Sequence, residues 1–314
     1  MNKLLTPLLL LLLVGCSARR QGPTAEEENA TPSLSHAPRP AHFIVTPPPA
    51  ELDSEGQRLY LRDHYWDRFD FRDTTLLSRL DTAEMMGAYA HYLARVIGPA
   101  DTAAMRNLMK RASSSKEMLT YFSMLGERLL YDPNSPLRSD ELYLVVLETQ
   151  ANSPLYNEYE QARPRHQLEL VGENLPGHPA NDFRYTLADG SSSTLYALKA
   201  PYTLLFISNP GCPMCASVRE AVISSPMLNS MIERGALKVL MLYPDSDLEE
   251  WYKHREEIPS QWIYAYDKGC HLQNERLYDL KAIPTLYLLN NKKEVLLKDV
   301  VEVAHIEYVI DQMQ

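Results

Sequence analysis

At about 150 residues per domain, a chain of 314 residues is long enough for two domains. Its composition is 45% hydrophobic, 23% charged and 9% aromatic, which is typical of a globular protein and excludes a collagen, a wholly disordered chain or a disulfide-dense miniprotein. The formal net charge is −10, and an acidic chain without a basic patch is a poor nucleic-acid binder. Four cysteines are too few for a disulfide framework but enough for one chemical site.

The N-terminus has the pattern of an export signal. After Lys3, residues 4–14 are almost all apolar, but this run is too short to cross about 30 Å of hydrocarbon as a helix. It ends in Gly15 and Cys16, and this arrangement resembles a bacterial lipobox, whose cysteine is diacylated on sulfur. The resemblance implies a signal peptide over 1–15 and an envelope protein lipid-anchored through Cys16. The periplasmic side is favoured over the cell surface, and the alternative is an ordinary cleaved signal with an incidental cysteine.

Residues 16–50 are predicted to be a lipid-anchored, Pro-rich linker. Seven of the 22 prolines lie in this segment. Chain of this kind is extended and buries too little surface to fold, so it would hold the folded part away from the bilayer. The apolar residues 43–45 are the part of the segment expected to dock.

Residues 51–168 have a helical period and are predicted to form an all-α domain. Polar residues that favour helix starts precede the apolar positions at Asp81, Asp101 or Thr102, Ser114 or Ser115, and Ser139. A charged helix after Pro154 is predicted to end near Arg163. The region contains no cysteine and no metal-ligand spacing, so its role does not follow from its residues.

Residues 169–314 change to strand periodicities and are predicted to form an α/β domain. A hairpin is predicted over 182–196, and the continuous apolar runs 202–207 and 237–242 are typical of buried strands. A helix is predicted over 270–280, then two strands joined by a turn, and a closing helix. The order β-β-β-α-β-α-β-α-β-β-α predicts a central mixed sheet flanked by helices.

The chemistry is predicted at one helix start. Cys212 and Cys215 follow the strand 202–207, with Pro213 and Met214 between them. The first sulfur would face the unpaired N–H groups at the positive end of the helix, which stabilise a thiolate. The second lies one turn later, close enough to form a disulfide with the first. A dithiol that can open and close in this way is a two-electron redox switch. Pro213 would occupy the first helical position, where its missing N–H loses no hydrogen bond.

At this point the sequence resembles the thioredoxin superfamily, in particular membrane-anchored thioredoxin-like disulfide reductases of the cytochrome-biogenesis type. The resemblance covers about residues 169–314. Three features carry it. The first is the strand–CPMC–helix unit, and the second is the hairpin that contains Ala180-Asn181-Asp182-Phe183 and Asp189-Gly190. The third is Ile283-Pro284-Thr285, which stands directly before a predicted strand.

The resemblance implies a thiol-disulfide oxidoreductase. Cys212 would attack a substrate disulfide and Cys215 would resolve the mixed disulfide. The substrate backbone would dock on Ile283, cis-Pro284 and Thr285, beside Pro213 and Met214. The implied cofactor is the redox-active Cys212–Cys215 disulfide alone, with no metal. The implied partners are protein thiols and disulfides, the membrane through the lipid anchor, and a membrane electron donor.

The sequence departs from this family near the cysteines. Gly211 stands where the family usually has Trp, and Phe206 and Val218 stand where many relatives have a buried carboxylate.

The preceding helical part resembles a domain of unknown function found before thioredoxin-like domains in bacterial lipoproteins. Residues 65–70 (YWDRFD) and 131–136 (YDPNSP) carry that likeness.

Two other classes of function compete with the redox interpretation. The first is metal binding, with zinc held by Cys212, Cys215, Cys270 and His271, or copper(I) held by the CPMC sulfurs with Met214. The second is a redox-silent docking module, in which the thioredoxin-like part is a platform and the helical half recruits a partner.

Overall fold

The computed structural model of the protein describes residues 41–313. The predicted signal peptide, Cys16 and most of the predicted linker lie outside the described residues. Within 41–313, no helix combines the length and the apolar character needed to span a bilayer.

The first half of the described chain is helical, as predicted. Its helices are α1 Ser54–His64, α2 Thr82–His91, α3 Thr102–Ala112, α4 Lys116–Leu130, α5 Asp140–Ala151 and α6 Glu158–Gly172, with a π-helical turn Tyr92–Ile97 after α2. Local chemistry sets their starts, because the side chains of Asp81, Asp101, Ser115 and Ser139 each accept a backbone N–H of the first turn. The predicted cap positions are therefore confirmed.

The helical half packs around an aromatic core. Trp66 and Phe122 are buried at its centre, with ring centroids 5.4 Å apart and the rings edge to face. Phe43 packs against Trp66 at 4.9 Å, and its backbone N–H donates to Glu84 at 2.9 Å. The segment at 43–45 thus docks on this core, as expected from its apolar residues.

The second half is built on a seven-stranded mixed sheet. Its strands are β1 Arg184–Thr186, β2 Ser192–Thr194, β3 Tyr202–Ile207, β4 Leu237–Tyr243, β5 Ile263–Tyr266, β6 Thr285–Asn290 and β7 Val295–Val300, in the order β2-β1-β5-β4-β3-β6-β7. Strands β3, β4 and β5 are parallel, and β6 runs antiparallel to β3. The predicted mixed sheet is confirmed.

Helices cover both faces of this sheet. They are α7 Pro213–Ser224, α8 Pro226–Glu233, α9 Leu248–Lys253, α10 His271–Asn274 and α11 Val303–Asp311. Along β3, Leu205 and Ile207 join one apolar core, whereas Leu204 and Phe206 join the other. Because both faces of the strand are buried, its sequence is a continuous apolar run rather than an alternating one.

Two predicted helix boundaries are wrong. The predicted helix over 270–280 is a single turn, α10, because Arg276 adopts a left-handed conformation (φ 57°) that stops the helix. The last helix of the first half, α6, continues past Arg163 through Pro164 to Gly172. Its later turns pack Leu168 and Val171 against the helical core, and this burial outweighs the disruption that an internal proline causes.

Candidate functional site

The CPMC segment lies where β3 gives way to α7. Cys212 is the N-cap residue of α7, and its Sγ accepts the Cys215 backbone N–H at 3.2 Å. Pro213 occupies the first helical position, where it has no N–H to leave unpaired. The Cys212 sulfur therefore takes the place of a capping oxygen at the positive end of the helix.

The two sulfurs are in different environments. Both are free thiols; Cys212 is half-buried, whereas Cys215 is only 2% exposed. Burial, reinforced by the hydrogen bond with Cys212, raises the pKa of the Cys215 thiol to about 12. Met214 between them is 59% exposed. The geometry thus gives one reachable sulfur, one protected sulfur and an exposed apolar side chain at the rim.

The backbone conformation of Gly211 explains why glycine stands where the family usually has Trp. Its φ is +70°, a left-handed conformation that side chains rarely adopt. A β-carbon at this position would meet only ordinary contacts, the nearest being Glu250 Oε1 at 3.6 Å. The backbone conformation, rather than lack of space, therefore favours glycine before the first cysteine.

Residues 283–285 lie beside the cysteines, because Thr285 opposes Ile207 where β3 ends. The Ile283–Pro284 peptide bond is cis, and the Ile283 carbonyl oxygen is 4.0 Å from Cys212 Sγ. Thr285 is fully buried, and its Oγ1 donates to Asp299 Oδ1 at 2.7 Å. The structure therefore brings the CPMC segment and the 283–285 segment together.

A small cavity of about 110 Å³ adjoins the thiols. Cys212, Cys215, Arg219, His254 and Glu257 are among the residues that line it. His254 Nδ1 is 2.6 Å from Glu257, and Arg219 is 3.0 Å from the same carboxylate. The hydrogen bonds of His254 with Glu257 and then Glu250 raise the pKa of His254, and its bond to Glu257 is the main reason that the pKa of Glu257 is lowered.

Sequence reasoning missed this charged group beside the cysteines. The spacing Glu250, His254, Glu257 does indicate local pairs, because residues three or four apart share a helix face. No pattern in the neighbouring sequence places these three residues next to Cys212, because they lie on the crossover between β4 and β5, which reaches the cysteines only through tertiary contact. Three larger open grooves, of about 770, 860 and 760 Å³, have linings that include neither Cys212 nor Cys215.

The residues proposed as metal ligands do not form a ligand cluster. Within residues 41–313, no group of three or more His, Cys, Asp or Glu side chains is placed to hold a metal ion. His271 Nδ1 is instead 2.7 Å from Glu275, which follows α10 directly. Cys270 is a free, partly buried thiol whose pKa is raised by burial.

A group of six charged side chains, two of them buried and four partly buried, lies behind Thr285, and we call it the ion cluster. Its members are Arg138, Asp140, Asp279, Lys281, Lys298 and Asp299. Three are cations and three are anions, so the formal charges of the group sum to zero. Arg138 and Asp140 come from the helical half and the other four from the sheet half, so the cluster joins the two halves.

Comparison with other proteins agrees with both halves of the fold. A family model described as a domain of unknown function, DUF5106, matches residues 15–174. The crystal structure of a thioredoxin-like protein from Bacteroides caccae is 37% identical, with a TM-score of 0.73 over 86% of this chain and 98% of that one. No curated protein matches.

Two shorter structures from Bacteroides fragilis are also similar. The C-terminal domain of an uncharacterized protein is 47% identical, covers 44% of this chain and 98% of its own, and has a TM-score of 0.42. A conserved protein of unknown function is 37% identical, covers 43% of this chain and 98% of its own, and also has a TM-score of 0.42. From the family match and the Bacteroides caccae structure, we conclude that the chain belongs to the DUF5106 family and is a thioredoxin-like protein.

Proposed function

We propose that the protein is a thiol-disulfide oxidoreductase that exchanges electrons with protein disulfides through Cys212 and Cys215. One observation carries the proposal: a half-buried thiol caps a helix N-terminus, accepts the Cys215 N–H at 3.2 Å and lies 4.0 Å from the Ile283 carbonyl oxygen. A sulfur held at the positive end of a helix is well placed to react as a thiolate.

The proposed reaction has two displacements. The Cys212 thiolate attacks one sulfur of a substrate disulfide; the other substrate sulfur leaves as a thiolate and takes up a proton. Cys215 then loses its proton and attacks Cys212 Sγ, releasing the second substrate thiol. The substrate disulfide is reduced by two electrons, and Cys212 and Cys215 end as a disulfide. An external dithiol protein would reduce that disulfide again, and the reverse sequence would oxidise a substrate.

The shape of the site favours a protein substrate. A cavity of about 110 Å³ is smaller than the roughly 300–1,000 Å³ that encloses a small-molecule ligand. Met214 is exposed, and Cys212 and Ile283 are half-buried, so these three residues reach the surface, whereas Pro284 and Thr285 lie beneath it. An extended segment of a partner would lie against Ile283, over the buried Pro284 and Thr285, and bring its disulfide to Cys212.

Trapping the intermediate tests the reaction. In an insulin-reduction assay with dithiothreitol, we expect the wild type to be active and Cys212→Ala to be inactive. Cys215→Ala, reduced beforehand and then freed of dithiothreitol, should accumulate a mixed disulfide with insulin, because the resolving sulfur is gone. The adduct would be seen on a non-reducing gel and lost on reduction. Cys270→Ala is the matched control and should behave as the wild type. If wild type and Cys215→Ala are equally inert, the redox function is refuted and a docking role is left.

We also propose that the protein works in the cell envelope, anchored to a membrane through a lipid on Cys16. The lipobox-like sequence supports this location. Cells given labelled palmitate should incorporate label into the wild type, whereas Cys16→Ser should be unlabelled. Equal labelling of the two would contradict the anchor.

A further inference from the structure

We propose that the helical half positions the substrate-docking segment 283–285 through the ion cluster, so that Arg138 and Asp140 are positioning residues for the redox site. The inference rests on the proposed function and gives the DUF5106 region a role in it. Four observations lead from the helices to the docking segment.

The first observation is the contact between Asp299 and the docking segment. Thr285 directly follows Pro284, and its hydroxyl donates to Asp299 Oδ1 at 2.7 Å. Both residues are buried, with exposed fractions of 0% and 5%. A buried, charge-assisted hydrogen bond of this kind fixes the orientation of both side chains. The backbone of Thr285 is held by its pairing with Ile207 in β3, and the orientation of its side chain depends in addition on where Asp299 is held.

The second observation is that the backbone does not hold Asp299 in place by regular pairing. The ladder between β6 and β7 has register shifts near Leu286 and Leu288, which is the irregularity of a β-bulge. Asp299 itself has φ 57°, a left-handed conformation that is unfavourable for a residue with a β-carbon. Aspartate tolerates this conformation better than most residues do, and the surrounding contacts stabilise it further.

The third observation identifies those contacts. Asp299 Oδ2 makes no well-directed hydrogen bond, but it lies 3.1 Å from Lys281 Nζ and 3.3 Å from Arg138 Nη1. Arg138 also donates to the Asp299 backbone carbonyl. Burial opposes ionisation, but the charges of Lys281 and Arg138 outweigh it and hold the pKa of Asp299 below its usual range. One of the two cations that fix the carboxylate therefore comes from the helical half.

The fourth observation is a second connection from the helices. Asp140, in the first turn of α5, is 2.8 Å from Lys298 Nζ and 3.7 Å from Lys281 Nζ. Lys298, next to Asp299, also donates to the carbonyls of Val171 and Glu173 at the end of α6, at 2.8 and 2.9 Å. Lys298, which immediately precedes Asp299, is thus tied to helix α5 and to the end of α6.

The test compares a protein disulfide with a small one. Arg138→Met removes the guanidinium but keeps an apolar stem, and Asp140→Asn removes one charge without changing the shape. The matched control is Arg106→Met, which breaks an exposed ion pair of the same helical half with Glu148. These three variants, Arg138→Lys and the wild type, all full-length, are assayed for insulin reduction and for reduction of hydroxyethyl disulfide, which needs no docking segment. Circular dichroism and thermal unfolding check that each variant is folded.

The positioning role predicts a split between the two substrates. Arg138→Met and Asp140→Asn should raise KM for insulin by about 2- to 30-fold, the range expected for coupling through groups that do not touch the substrate. Their kcat and their rates with hydroxyethyl disulfide should stay within about twofold of wild type, and Arg138→Lys should recover part of the loss. Arg106→Met should match the wild type throughout.

Other outcomes decide against the inference. If the folded variants resemble Arg106→Met, or lose both activities in proportion, the ion cluster is structural only and the positioning role is refuted while the proposed function stands. If a variant is too unstable to assay, Arg138→Lys and the other helical variant give the same comparison. If the wild type reduces neither disulfide, the proposed function itself fails, which is a distinct result.

Discussion

Lys293 is a buried cation whose removal we expect to stabilise the folded chain. It follows the turn after β6, only 3% of it is exposed, and its Nζ donates to Thr203 Oγ1 at 2.7 Å. Burial, together with the nearby Lys199 and Lys238, lowers the pKa of Lys293 from 10.5 to about 8. At 1.36 kcal/mol per pKa unit, this difference corresponds to about 3 kcal/mol lost on folding at neutral pH.

The dependence on pH gives the prediction a second signature. Below the folded pKa of about 8, Lys293 is protonated in both states and the whole cost applies. Between about 8 and 10.5 the unfolded chain binds the proton more tightly, so stability due to this residue rises with pH. Between pH 7 and about 9.5 the cost should fall by about 2 kcal/mol.

The variant is Lys293→Met, measured by urea unfolding with tryptophan fluorescence. It removes the charge but also the charged hydrogen bond to Thr203, worth about 1.5 kcal/mol, so we expect a net gain of about 1.5 kcal/mol at pH 7. That gain should nearly vanish at about pH 9.5. The control is Lys292→Met, at the exposed neighbour, which should change little at either pH. A variant less stable than wild type at pH 7, or a gain that does not shrink with pH, would refute the reasoning.

Two further predictions concern Asp299 and the thiols. Asp299→Asn should destabilise the fold by about 1.5–3 kcal/mol at neutral pH, because Arg138 and the Thr285 hydroxyl lose a charged partner while Lys281 keeps Asp279 and Asp140. Since the folded pKa of Asp299 is lowered, this stabilisation is lost as pH falls through it, so the deficit in urea unfolding should shrink in acid; a constant deficit would contradict this. In the reduced native protein, iodoacetamide should modify Cys212 before the buried Cys215, read by peptide mass spectrometry; equal labelling rates would contradict the geometry.

Local chemistry made parts of the fold predictable from sequence. Asp81 and Ser115 cap helices because their own side chains reach the first-turn N–H groups, an interaction within a few residues. The strand 202–207 was recognisable because burial on both faces requires apolar residues at every position. The neighbourhood of Cys212 followed in the same way from a strand, a short loop and a helix start.

Features that depend on distant residues could not be predicted. The continuation of α6 through Pro164 depends on packing against the helical core, and the short α10 depends on a left-handed Arg276. Likewise, Arg138 and Asp299 are separated by 161 residues along the chain, and no sequence pattern pairs them. The parts of the site formed by tertiary contact, His254 with Glu257 and the ion cluster, are those that sequence reasoning missed.

The docking of Phe43 has a practical consequence for recombinant work. Its ring lies 4.9 Å from Trp66 and 5.6 Å from Tyr65, and Ala41 forms a bridge with Leu80. A shortened chain that begins at residue 51, where the proline-rich composition ends, would lack these contacts and leave two large aromatic rings uncovered. Expression for crystallisation or kinetics should therefore start upstream of Ala41, so that the purified material keeps its aromatic core closed and stays free of aggregation.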